Sequence, residues 1–176
     1  DKSLPYAAPV SFHQDLINQL NTFVLSEEDR EIAEFLVGSI DDTGYIRRSV
    51  QEIVDDLAFT QSIYTNEETV QRILNVVQEL EPSGVAARDL QECLLLQLKH
   101  KTPTDAVELA QRIIEEQFDA FTKKHYDKLL QKFEIKQEAL KKAIEEIEKL
   151  NPKPGGSYDG NQKAIEHIVP DFTIRV

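Results

Sequence analysis

The chain has 176 residues, 40% hydrophobic and 30% charged, which is typical of a globular protein with one or two domains and excludes a disordered chain. It has no run of about 18 apolar residues and no basic, apolar start, so we expect neither a membrane span nor a signal peptide. Cys93 is the only cysteine, which excludes an intrachain disulfide and favours a cytoplasmic protein. Since the sequence contains no methionine, we expect a fragment of a longer protein.

The net charge of −12 is unevenly placed along the chain. Residues 11–98 hold 17 Asp and Glu against five Arg and no Lys, whereas residues 99–176 hold 14 acidic and 14 basic side chains. An acidic region is repelled by phosphates, which argues against strong nucleic-acid binding, and it favours a basic protein surface by speeding encounter. A solvated surface that only aids solubility explains the charge equally well.

Apolar residues recur at helical spacing along almost the whole chain, which predicts an all-α fold. Several predicted helices begin after a residue that can cap them, namely Ser11, Ser26, Ser49, Asn66 and, later in the chain, Thr104. The stretch Asp41-Asp42-Thr43-Gly44 predicts a turn after the second helix, and Pro82 with Gly84 ends the fourth.

The next predicted helix, residues 88–98, is apolar on nearly every side and must therefore be buried. We place it at the centre of a first, acidic lobe, residues 11–100, which follows a flexible segment of residues 1–10. The polar stretch 99–104 predicts a boundary, and a second small, bundle-like helical lobe is expected over residues 104–150. Residues 151–176 are predicted to form a loop and an extended segment, because residues 171–176 alternate like a strand.

One apolar pattern occurs twice, 70 residues apart. The first copy ends with Leu80 and Pro82, and the second with Leu150 and Pro152. A duplicated helical hairpin would explain the repeat, but any two amphipathic helices share this spacing, so its origin stays open.

No combination of residues in the sequence points to catalysis. The four histidines lack the spacing of a metal site, and no nucleophile–base pair is evident. We therefore expect a protein that is not an enzyme and needs neither metal nor cofactor. A helix-turn-helix over residues 49–80 has the right outline for DNA binding, but it would present Glu67 and Glu68 to the phosphates, which opposes binding.

Arg88 and Asp89, at the start of the apolar helix, allow two interpretations. Both could contact a partner. Alternatively, both lie in the first turn of that helix, where Asp89 complements the helix dipole and Arg88 bonds a neighbouring carbonyl. We favour the second interpretation and keep Arg88 as a candidate contact.

Four segments of the chain, taken in order, carry a family resemblance. They are residues 14–20 (QDLINQL), 39–46 (SIDDTGYI), 80–98 (LEPSGVAARDLQECLLLQL) and 150–155 (LNPKPG) followed by 169–171 (VPD). Together they resemble the core-binding domain of sigma-54 (RpoN-type) bacterial transcription factors. Glu81 and Ala86 depart mildly from that pattern, which more often has Asp and Gly at these positions.

The resemblance implies a domain that binds core RNA polymerase as part of an enhancer-dependent alternative sigma factor in bacterial transcription initiation. In the full-length proteins, promoter DNA and an ATP-hydrolysing activator are further partners. The family's DNA-binding and activator regions are not recognisable in this sequence, so we do not expect this chain to bind DNA strongly.

We expect the acidic lobe to dock on a basic polymerase surface. The candidate contact residues are Asp41, Asp42, Asp55, Asp56 and Arg88. The alternatives are a helical protein–protein adaptor outside transcription and a helix-turn-helix-like DNA-binding domain.

Overall fold

The computed structural model describes residues 11–157, and this part of the chain is helical, without a β-strand. The all-α fold predicted from apolar spacing is confirmed. The helices are α1 Phe12–Leu20, α2 Glu27–Gly38, α3 Val50–Gln61, α4 Glu67–Val77, α5 Leu90–Lys99, α6 Asp105–Glu116, α7 Phe118–Thr122, α8 Tyr126–Phe133 and α9 Gln137–Glu148, followed by a 3-10 turn, Pro154–Ser157. The predicted flexible segment 1–10 and the strand-like segment 171–176 lie outside the described residues. No helix among residues 11–157 is long and apolar enough to cross a membrane.

The five predicted caps are confirmed, at the starts of α1, α2, α3, α4 and α6. Ser11, Ser26, Ser49, Asn66 and Thr104 each accept a hydrogen bond from the backbone N–H three residues later. At α3 the cap is reciprocal, because the Glu52 carboxylate also accepts from the backbone N–H of Ser49, at 2.9 Å.

The chain divides into two compact units, each with its own core. Unit 1 comprises the described residues 11–86 and 153–157, and its core is built from α1, α2, α3 and α4 around side chains such as Leu16, Leu36, Leu57 and Leu74. Unit 2 is Ala87–Pro152, and α5, α6, α8 and α9 supply most of its core.

The boundary predicted at residues 99–104 is corrected by this division. Helix α5 does not lie at the centre of the first lobe: Leu94 and Leu98 are buried in the core of unit 2. The division falls between Ala86 and Ala87, and the polar residues 99–104 form only a short connection between α5 and α6. The buried leucines of α5 are thus covered within unit 2, by helices that follow α5 in the chain.

The charge asymmetry survives this correction. Residues 11–86 carry 15 Asp and Glu against four Arg, a net charge of −11, whereas residues 87–152 carry 13 acidic and 12 basic side chains, a net charge of −1. Unit 1 is therefore the acidic part of the described chain.

The two units are built on the same order of helices. Helices α1 and α2 with their caps Ser11 and Ser26 recur 78 residues later as α5 and α6 with the caps Asp89 and Thr104. Helix α4 recurs 70 residues later as α9. Helices α3 and α8 both end in a left-handed residue, Ser62 (φ 56°) and Glu134 (φ 52°). The correspondence seen in the sequence for one helix therefore extends to four helices.

A shared pair of hydrogen bonds strengthens the correspondence. In unit 1, the side-chain amide of Gln19 donates to the carbonyl of Glu81 and accepts from its N–H, both at 2.7 Å. In unit 2, Gln97 does the same with Asn151, at 2.6 and 2.8 Å. Glu81 and Asn151 each precede the proline that follows the corresponding helix, so both units hold this point of the chain in the same way.

Candidate functional site

Asp41 closes the turn between α2 and α3. Its Oδ1 accepts from the N–H of Thr43 at 2.9 Å, the hydroxyl of Thr43 at 2.6 Å and the N–H of Tyr45 at 3.0 Å, while Oδ2 lies 3.4 Å from Nε of Arg47. Burial by itself raises the pKa of Asp41, but these hydrogen bonds outweigh it and hold the pKa below its ordinary value. The carboxylate is thus engaged in building the turn.

Two other segments of the family pattern meet this turn inside unit 1. The N–H of Ala86 donates to the carbonyl of Gly44 at 2.8 Å, and the N–H of Gly155 donates to the carbonyl of Thr43 at 3.0 Å. Ala86 itself has φ 69°, a left-handed conformation in which glycine is favoured. Much of the sequence signature is therefore explained by a junction of three backbone segments, which is a structural role.

The four predicted aspartates of unit 1 fall into two classes. Asp56, on α3, forms a two-pronged ion pair with Arg48, with N–O distances of 3.0 and 2.8 Å. Like that of Asp41, its carboxylate is therefore bonded within unit 1. Asp42 is exposed on the Asp41 turn, and Asp55 is exposed on α3, where it accepts from the amide of Gln51 at 3.0 Å. Asp42 and Asp55 are the candidates whose carboxylates face solvent.

Arg88 belongs to unit 2, whereas the four aspartates belong to unit 1. Its guanidinium donates to Glu92, at 3.1 Å from Nε to Oε1 and 2.9 Å from Nη2 to Oε2. This hydrogen bond raises the pKa of Arg88. Asp89 is the cap of α5, accepting from the N–H of Glu92 at 2.9 Å. Both residues thus organise the first turn of α5, where the carboxylate of Glu92 accepts from Arg88.

The arginines of residues 11–86 are all bonded within unit 1. Arg30 donates to the carbonyls of Leu20 and Phe23, and Arg72 pairs with Asp29 at 3.2 Å. Arg47 and Arg48 are held by the aspartates described above. A larger group of acids is exposed on the same unit: Glu27, Glu28, Glu31, Glu34, Asp42, Glu52, Asp55, Glu67, Glu68, Glu79 and Glu81. The outward-facing charge of unit 1 is therefore predominantly negative.

Sequence reasoning missed two exposed aromatic residues of unit 1. Phe59, on α3, is 88% exposed, and Tyr64, just beyond α3, is 77% exposed. Phe59 stands outside the apolar stripe of α3, in which Ile53 and Leu57 are the buried residues. That departure from the helical period is the signal by which Phe59 could have been found.

Residues 49–80, which have the outline of a helix-turn-helix, carry exposed acids where a DNA-reading helix would begin. Asn66 uses its side chain to cap α4, accepting from Thr69 at 2.8 Å, and Glu67 and Glu68 follow it, both exposed. A DNA-reading helix would direct these first residues at the groove, where the two carboxylates repel phosphates.

The described residues also include no cluster suited to a metal ion. No group of three or more His, Cys, Asp and Glu side chains within 11–157 is arranged to hold one. Cys93 is buried in α5 beside the amide of Gln97, with its Sγ 3.7 Å from the carbonyl oxygen of Asn151, and it packs as a small core residue.

Comparison with known proteins identifies the family of this chain. Residues 5–176 match the family model described as "Sigma-54 factor, core binding domain". Among similar proteins, the RNA polymerase sigma-54 factor of Azotobacter vinelandii is 36% identical over 166 residues, that of Pseudomonas aeruginosa (strain UCBPP-PA14) 34% over 166 and that of Escherichia coli (strain K12) 32% over 161. These alignments cover 94%, 94% and 91% of this chain and 32%, 33% and 33% of the relatives, so the chain spans about a third of their length. With the helical structure and the junction of signature segments, they show that the chain belongs to the sigma-54 factor core binding domain family.

Proposed function

We propose that this chain binds core RNA polymerase as part of a sigma-54 factor that acts in transcription initiation. The match to the core binding domain model over residues 5–176 carries the proposal. The fold agrees with it, because the described residues form two helical units, and a binding domain requires a rigid scaffold and a surface patch instead of catalytic groups. The family match also favours this function over that of an adaptor outside transcription.

The acidic face of unit 1 is the contact surface in this proposal. Its arginines are bonded within the unit, whereas many carboxylates face solvent, so a Lys- and Arg-rich surface of the polymerase would be complementary to it. Such complementarity acts mainly by speeding association and is weakened by salt.

Promoter DNA and an ATP-hydrolysing activator are, in the same proposal, partners of the longer sigma-54 protein. Strong DNA binding by residues 11–86 is disfavoured, because their net charge of −11 opposes the phosphate backbone.

The test is the binding of this chain to purified core RNA polymerase, measured as association and dissociation rates at low and high salt. Asp42→Lys with Asp55→Lys should slow association at low salt. Asp41 and Asp56 are left unchanged, because they hold the turn and Arg48. The matched control, Glu115→Lys with Glu138→Lys, makes the same charge change at exposed positions of unit 2 and should leave association nearly unchanged.

Three results would count against the proposal. Absence of a complex at micromolar concentration would defeat polymerase binding altogether. An association rate that does not respond to salt, or one that the double variant of unit 1 leaves unaltered, would defeat the acidic face as its contact surface.

A further inference from the structure

Two exposed aromatic residues and three exposed acids follow one another along the chain from the middle of α3 to the start of α4. We define the α3 patch as Asp55, Phe59, Tyr64, Glu67 and Glu68, all of which are exposed. Asp55 and Phe59 are four residues apart on α3 and therefore share a face of that helix. No Lys or Arg occurs in residues 49–71.

Folding of unit 1 does not explain the two aromatic side chains. Helix α3 packs through Ile53 and Leu57, and Ile63 returns to the core just after the helix ends. Neither Phe59 nor Tyr64 belongs to the core of unit 1 or packs against it as a partly buried residue. A nearly fully exposed Phe gains none of the free energy that burial in a core would supply, and burial against a partner would supply it.

Unit 2 provides an internal comparison. Aligning the left-handed residues that end α3 and α8, Ser62 and Glu134, places Ile63 opposite Ile135, and both isoleucines pack on their cores. In this alignment the position of Phe59 is taken by Gln131, and that of Tyr64 by Lys136. The shared helical scaffold is thus satisfied by polar residues at both positions, so the aromatic residues serve something other than the scaffold.

We propose that Phe59 anchors the α3 patch in an apolar pocket on core RNA polymerase whose rim is lined with Lys and Arg. This inference rests on the proposed function, which describes only charge complementarity, and it adds a short-range contact. Aromatic residues that fill a desolvated pocket dominate the affinity of protein interfaces, while charges around them steer encounter. Asp55 on α3 and Glu67 and Glu68 at the start of α4 provide charges that fit a basic rim.

The charge of the α3 patch selects this occupant over two others. A second copy of the chain, meeting the patch through a two-fold axis, would bring the same carboxylates face to face, which is unfavourable. A nucleic acid could stack bases on the aromatic rings, but the carboxylates of Asp55, Glu67 and Glu68 would repel its phosphates.

The experiment measures the dissociation constant of the chain with core RNA polymerase at low and high salt. Phe59→Ala should weaken binding by about tenfold or more at both salt concentrations, because it removes a buried apolar contact. Asp55→Lys should weaken binding at low salt and much less at high salt. Val24→Ser is the matched control, because Val24 is a fully exposed apolar residue of the same unit outside the α3 patch, and it should change binding by less than about twofold.

Thermal unfolding establishes that the Phe59→Ala protein folds, and its midpoint should match that of the unaltered chain because Phe59 is outside the core. If the unaltered chain does not bind the polymerase, the proposed function fails and the anchor fails with it. If the unaltered chain binds and Phe59→Ala binds equally well, or Val24→Ser loses as much affinity, the anchor alone is overturned. A dimer of the unaltered chain that Phe59→Ala dissociates would also overturn it, since the occupant would then be a second copy.

Discussion

Gly155 lies against Gly44 so closely that neither residue has room for a side chain. A Cβ atom added to Gly155 would lie 2.6 Å from the nitrogen of Gly44 and 2.6 Å from the carbonyl oxygen of Asp42, and one added to Gly44 would lie 2.7 Å from the nitrogen of Gly155. Gly44 also has φ +99°, which side chains disfavour. The segment that follows unit 2 in the chain is thereby seated on the turn that carries Asp41 and Asp42.

Substitution of Gly155 tests how much this close contact between Gly155 and Gly44 contributes to stability. Gly155→Ala forces the new Cβ onto backbone atoms that cannot rotate away, so we expect a loss of about 1–3 kcal/mol in the free energy of unfolding. Gly156→Ala is the adjacent control, because its Cβ would meet only the Cβ of Lys153 at an ordinary 3.6 Å. Urea unfolding of both variants makes the comparison, and equal stability of the two proteins would contradict the prediction.

The hydrogen bonds of Gln97 to Asn151 should stabilise the fold more than those of Gln19 to Glu81. Gln97 is 8% exposed and its bonds to Asn151 are partly buried, whereas the bonds of Gln19 to Glu81 are exposed to solvent. Gln97→Ala should therefore cost about 1–2 kcal/mol of unfolding free energy, and Gln19→Ala less than about 1, because water replaces the lost amide more readily at Glu81.

An exposed glutamine of unit 2 controls for the loss of the side chain itself. Gln131→Ala on α8 should leave the free energy of unfolding within about 0.5 kcal/mol of the unaltered value. Denaturant titrations measure the free energies of unfolding. If Gln19→Ala lowers this free energy more than Gln97→Ala does, burial does not decide how strongly these hydrogen bonds stabilise the fold.

The lowered pKa of Asp41 predicts that the free energy of unfolding depends on pH. Its pKa is lowered in the folded chain, so its stabilising effect is complete above the ordinary pKa of an aspartate and is lost as the pH falls through the lowered value. Asp41→Asn removes this titration together with the ion pair to Arg47. The variant should be less stable than the unaltered chain at neutral pH, and the difference should shrink as the solution is acidified.

Unfolding free energies measured from neutral pH into the acid range check this prediction. Asp42→Asn, which makes the same substitution at an exposed carboxylate of this turn, is the control and should lower the free energy of unfolding at neutral pH by less than Asp41→Asn does. A difference between Asp41→Asn and the unaltered chain that grows on acidification would have the wrong sign.

The left-handed residue that ends α3 should favour glycine. Ser62 has φ 56°, a conformation that costs an ordinary residue roughly 1 kcal/mol, so Ser62→Gly should raise the free energy of unfolding by about 0.5 kcal/mol after the entropy of the added glycine is deducted. Gln51→Gly, at an exposed position inside the same helix, should instead lower it by about 0.5–1 kcal/mol. Thermal unfolding compares the two, and a destabilising Ser62→Gly would contradict the argument.

The buried face of an amphipathic helix could be predicted from the sequence, but the environment of individual polar groups could not. The period of 3.6 residues indicates which face of α4 is apolar, and Val70, Ile73, Leu74 and Val77 are indeed buried. The candidate aspartates show the limit of such reasoning. Nothing in the spacing of Asp55 and Asp56 reveals that one carboxylate faces solvent while its neighbour binds Arg48.

The sequence by itself determined most of the helices, five of their caps and the family, because these depend on interactions between residues a few positions apart and on short characteristic segments. Only the tertiary structure assigned α5 to unit 2, engaged Asp41 in a turn and left Phe59 in solvent. Each of these outcomes depends on which distant segment covers a given face. A periodic pattern shows that a face requires burial, but the partner that covers it is chosen by packing among all the helices at once.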